Sequence, residues 1–172
     1  ITNSGNNGVV NLPSGGFTNN AVSNNVYIVC TNLTIASGCS INADYAGYKG
    51  LAVSAGQGPG GGLIGAANQV GGGGGYGGKG GTGGGVGGAP YGDADAPLAP
   101  GSAGGSYGSG NYPGANGGGA VRIQASGVVT LNGTITANGG VGSSSGDGSG
   151  GGIYITCNTL AGSGTVRANG SS

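Results

Sequence analysis

A strand–turn–strand segment that occurs three times, in copies whose apolar residues can be laid over one another, constrains this chain more than any other feature. The first copy reads Val26-Tyr27-Ile28-Val29-Cys30, Leu33-Thr34-Ile35, Gly38 and Ile41-Asn42-Ala43-Asp44. The second reads Val121-Arg122-Ile123, Val129-Thr130-Leu131, Gly133 and Ile135-Thr136-Ala137-Asn138. The third reads Ile153-Tyr154-Ile155-Thr156-Cys157, Leu160, Gly164 and Val166-Arg167-Ala168-Asn169. Apolar and polar residues alternate with period two, the mark of a strand with one buried face, and small turn residues separate the strands. The second and third copies are offset by about 31–32 residues, and a unit that short cannot bury its apolar face alone.

The expected fold is therefore all-β, with the copies stacked as rungs of a parallel β-solenoid. Ile28, Ile123 and Ile155 then fall in one internal ladder, and Ile41, Ile135 and Val166 in another, with rungs about 4.8 Å apart. Tyr27 and Tyr154 line up on the outer face. An antiparallel β-sandwich is the alternative, because hairpins use the same alternation. No stretch carries the 3.6-residue period of a helix.

The chain reads as a single β domain, 1–172. Residues 1–25 hold one strand pattern, Gly8-Val9-Val10-Asn11-Leu12, suited to cap the stack or to pair with another subunit. Residues 26–45 form the first rung, 46–119 a glycine-rich insertion, and 120–172 the second and third rungs. The insertion contains an unbroken run from Gly71 through Tyr76 and Lys79 to Thr82 in which a side chain appears every third residue. Gly-Gly-X of this kind suits polyproline-II-like segments with three residues per turn, placing Tyr76, Lys79 and Thr82 on one edge. Ordering so many glycines has a large entropy cost, so the tract must pack against the rungs or against neighbouring subunits.

Composition removes most chemistry. The 172 residues include 50 Gly and no His, with four acidic and four basic side chains. All four acids are Asp, so neither a His-based triad nor a Glu acid can be assembled. The expectation is no enzyme, no catalytic residue, no cofactor and no metal. Four scattered cations cannot track a phosphate backbone, which argues against nucleic acid, and no apolar run reaches the roughly 20 residues that span a bilayer. A neutral surface with 5% charged residues favours association. The chain starts at Ile1 without a leader, which suggests a processed or excerpted sequence.

Gly151-Gly152-Ile153-Tyr154-Ile155 and Gly133-Thr134-Ile135-Thr136-Ala137-Asn138-Gly139-Gly140 resemble the Gly-rich repeat modules of secreted parallel β-helix surface and adhesin-like proteins. The resemblance covers the last third of the chain well and the first unit loosely. It implies an extracellular structural or adhesive role. The Gly-rich tract separately resembles the polyglycine-II bundles of phage tail-tip adhesins and some antifreeze proteins.

Three cysteines allow at most one bridge within the chain. Cys30 and Cys157 occupy equivalent positions two layers apart, about 9–10 Å, too far for a disulfide. A Cys30–Cys39 bridge, a link from Cys157 to a neighbouring subunit, and three small buried side chains all remain open. Asn32, Asn132 and Asn169 each begin an N-glycosylation pattern. Asp93-Ala94-Asp95 is the one close acidic pair, and it reads as a turn before Pro97 rather than a calcium site. Asp147, between glycines, reads as a turn residue. The functional expectation is an extracellular, cell-surface subunit that self-assembles into a filament or sheath. An adhesin or a receptor- or glycan-binding module is the alternative.

Overall fold

The computed structural model describes residues 9–11 and 25–171. Alternating apolar residues and short turns produce ten strands and, among the described residues, no helix. β1 is Val9–Asn11. The first unit supplies β2 (Asn25–Cys30), β3 (Leu33–Ile35) and β4 (Ser40–Asn42). The second supplies β5 (Ala120–Ala125), β6 (Val128–Leu131) and β7 (Thr134–Thr136). The third supplies β8 (Gly152–Thr156), β9 (Thr159–Ala161) and β10 (Thr165–Arg167).

Corresponding strands of the units lie side by side in three parallel sheets, ordered β2-β5-β8, β3-β6-β9 and β1-β4-β7-β10. Each pairing between described strands is parallel, so the antiparallel sandwich is not the architecture. The register is set by the apolar pattern, since a slip of one residue would turn every buried side chain outward. Ile28 faces Ile123, which faces Ile155. Ile41, Ile135 and Val166 align in the same way, as do Leu33, Val129 and Leu160. Ile35, Ile41, Val121, Ile123, Val129 and Ile135 are the largest fully buried apolar side chains of the resulting core. Gly38 and Gly162 turn the chain ahead of the third strands of units one and three with φ of 78° and 106°, a conformation that side chains disfavour.

The glycine-rich insertion folds into a bundle held by main-chain hydrogen bonds rather than by strands. Its centre is Gly101–Gly108, whose successive N–H groups point in three directions and repeat every third residue. Gly101, Gly104 and Tyr107 donate to Gly118, Ala115 and Tyr112. Ala103 and Ser106 donate to Gln57 and Ser54, while Gly105 and Gly108 donate to Gly72 and Gln69. Its carbonyls receive from Gly62 and Gly65 on another side, from Gly146 and Ser149 on a further one, and from Tyr48. A three-residue repeat of this kind is the periodicity of a polyproline-II-type helix, which has no internal hydrogen bonds and must find all its partners laterally.

Two features of the bundle differ from the sequence expectation. The run from Gly71 to Thr82 is not one straight edge: it bends at Tyr76–Gly78, where Tyr76 N donates to Gly78 O at 3.1 Å. The bundle also recruits residues outside 46–119, because the connection between units two and three contributes Gly146 and Ser149 to its centre.

Candidate functional site

The units are chemically alike but unequally covered. In the second unit Val129 and Ile135 are fully buried, at 0% exposure; their third-unit counterparts Leu160 and Val166 are 58% and 46% exposed. The same side chains that form core inside the sheets therefore form surface at the β8–β9–β10 edge. That edge is built by the third repeat, and no described strand lies beyond it. Parallel strand edges with apolar side chains favour addition of another strand, and proteins that avoid this blunt them with charge. Arg167 is the one charged residue within β8, β9 and β10.

The two ends of the sheets are unlike. Beyond the first unit, β1 pairs along β4, with Val10 opposite Ile41 and Asn11 opposite Asn42. Where the chain leaves the third strand of each unit, a side-chain ladder connects the units. Asp44 Oδ1 accepts from Asn138 N at 2.7 Å, and Asn138 Oδ1 accepts from Asn169 N at 2.9 Å. The sequence carried the signal for this ladder in the repeated Ala43-Asp44, Ala137-Asn138 and Ala168-Asn169, which pattern reading used for alignment and not as a site.

The residues singled out from sequence are placed as follows. Cys30, Cys39 and Cys157 are free thiols, Cys39 buried and the other two half-buried against the core. Cys30 lies opposite Ala125 of the second unit. Asn32, Asn132 and Asn169 are all exposed. Asn32 and Asn132 use their carboxamide oxygens to accept from the following unit, from Val128 N at 2.8 Å and Ser163 N at 3.3 Å, and these bonds do not use the amide nitrogen. Asp93 Oδ1 accepts from Asp95 N at 2.9 Å, an Asx turn, and Asp147 Oδ1 closes a turn by accepting from Gly142 N. Tyr27 and Tyr154 flank Arg122 in register, and the Arg122 guanidinium sits 4.7 Å from the centre of the Tyr27 ring, a cation–π contact.

Inside the bundle, aromatic rings cover bare backbone. Tyr76 and Tyr91 meet edge to face at 5.1 Å, and Tyr107 and Tyr112 at 5.7 Å. Tyr91 donates to Pro100 O and accepts from Ser102 Oγ at 3.0 Å. Burial raises its pKa well above the usual tyrosine value, outweighing the opposing Ser102 hydrogen bond. Burial raises Tyr48 as well. A surface groove of about 750 Å³ runs between the bend at Tyr76–Gly83 and the segment Ser145–Gly151. Its charged lining residues are Lys79 and Asp147. No helix among the described residues is long and apolar enough to cross a membrane. No family model, curated protein or solved structure matches the chain.

Proposed function

We propose that the three units are rungs of a parallel β-solenoid and that the protein is an extracellular structural subunit whose copies stack into a surface filament or sheath. The observation that carries this reading is the exposure of Leu160 and Val166, whose equivalents one unit earlier are completely buried. Covering these side chains, with Ile153 and Ile155 beside them, contributes about 25 cal/mol for each Å² of apolar surface removed from water. A formal net charge of zero adds no long-range repulsion between copies. Stacking by translation is a heterologous contact that does not close on itself, and such contacts build fibres.

Electron microscopy of the protein near neutral pH, without added ligand, tests the reading. Long assemblies of uniform width are expected, and the Leu160→Lys/Val166→Lys variant is expected to give only small particles. Dispersed particles from the unaltered protein at every concentration would contradict it.

A second reading, a glycan-binding or receptor-binding adhesin, is favoured by the exposed rings of Tyr45 and Tyr112, which border one shallow depression together with Pro113. Flat rings at the rim of a depression suit stacking on sugar. Glycan binding by dispersed particles, lost in Tyr45→Ala/Tyr112→Ala, would select this reading over the filament.

A further inference from the structure

The main-chain hydrogen bonds between units specify which edges of two copies fit together. After the third strand of the first unit, Ala43 N and Tyr45 N donate to Thr136 O and Asn138 O at 2.8 and 2.9 Å, while Asn138 N donates back to Asp44 Oδ1 at 2.7 Å. One unit on, Ala137 N and Gly139 N donate to Arg167 O and Asn169 O at 2.8 and 2.9 Å, and Asn169 N donates back to Asn138 Oδ1 at 2.9 Å. Each unit thus offers its successor a donor, a side-chain acceptor and a second donor. At the third-unit edge the same triplet is Ala168 N–H, Asn169 Oδ1 and Gly170 N–H, and among the described residues nothing occupies it.

The complementary face recurs as well. By the same repeat it is an acceptor, a donor and an acceptor, which at the first-unit edge are Asn42 O, Asp44 N–H and Asp44 O. That face is engaged within the molecule. β1 lies along β4, with Asn11 opposite Asn42, and Asp44 N is turned back onto Asn42 Oδ1 at 2.8 Å.

We infer that copies join head to tail through this triplet, so that β2, β3 and β4 of one copy extend the sheets of β8, β9 and β10 of the next, and that β1 is a gate strand that must leave β4 before the joint closes. This rests on the stacking reading above and adds to it the polarity, the register and the control point. The exchange favours the joint, because β1 pairs with one strand through Val9, Val10 and Asn11, whereas the joint pairs three strands and buries Leu160 and Val166. It is held back while β1 is seated, since intramolecular pairing needs no second molecule.

The test compares four full-length proteins by sedimentation over a range of concentrations: unaltered, Val9→Pro/Val10→Pro, the same pair with Gly170→Pro, and Leu160→Lys. Proline cannot donate to a ladder, so the paired substitution unseats β1 whichever N–H faces β4. The paired variant is expected to assemble at a concentration at least tenfold lower than the unaltered protein. Adding Gly170→Pro, which deletes one donor of the triplet at an exposed position, should restore the higher threshold. A synthetic peptide of residues 5–14, added in excess, should suppress assembly of the paired variant by reoccupying β4.

If the unaltered protein and the paired variant assemble alike while Leu160→Lys does not, stacking stands and the gate is wrong. If Gly170→Pro leaves assembly unchanged, the triplet is not the joint. Absence of assembly in every form would overturn both the joint and the stacking reading.

Discussion

At the scale of single residues, the decisive atoms are those a glycine lacks. A Cβ added at Gly104 would lie 2.0 Å from Gly146 O, a main-chain atom that cannot move without its neighbours, whereas at Gly81 it would meet nothing within 4 Å. Gly104→Ala should therefore destabilise by about 3 kcal/mol or more, and Gly81→Ala by less than about 1 kcal/mol, as read by denaturant unfolding. The raised pKa values of Tyr91 and Tyr48 make a second prediction. Both belong to buried phenols, so the folded state favours the neutral form, and that stability is present in full below about pH 10. It is lost as pH rises through the folded-state values, so the bundle should unfold in alkali together with a late phenolate absorbance step that Tyr91→Phe reduces. Residues at this scale were only partly legible in the sequence. The three-residue repeat was visible at Tyr76, Lys79 and Thr82, yet the centre of the bundle is Gly101–Gly108, where Ser102, Ala103, Ser106 and Tyr107 disguise it.

At the scale of elements, the strands were legible because their register follows from side-chain alternation alone. The ladders through Ile123 and Ile135 lie where the repeat puts them. Their energetic weight should follow their burial. Ile123→Ala, at the centre of its ladder, should cost about 2–5 kcal/mol, while Leu160→Ala at the edge should cost less than about 1 kcal/mol in dispersed protein. The difference should shrink in assembled material if copies stack as proposed, because Leu160 would then be interior. What pattern reading missed at this scale is polar. Asp44, Asn138 and Asn169 occupy one column, but a side chain that accepts from the main chain of the next unit leaves no trace in hydrophobic periodicity. The bundle contribution of Gly146 and Ser149 was missed for a related reason, since lateral main-chain bonds are independent of side-chain identity.

At the scale of the whole molecule, one of the three parallel sheets carries β1 beyond its first-unit strand, and all three end on the other side in the third unit with no described strand beyond, so the protein has a direction. Asn169 sits on the uncovered edge, and a sugar attached there would occupy the space a further copy needs. Mass spectrometry of material that is glycosylated should therefore find Asn169 unmodified in assemblies and modified only in dispersed protein. Asn132, in a turn between strands of the second unit, lies on neither joining edge and is free of that conflict. The central claim, that copies continue the same parallel sheets, is tested most directly by fibre diffraction from aligned assemblies. Strands that run across the fibre and stack along it give a strong reflection near 4.8 Å on the fibre axis. The account predicts that reflection on the axis, and its loss in Leu160→Lys/Val166→Lys preparations. A 4.8 Å reflection perpendicular to the axis, or fibres without one, would contradict it.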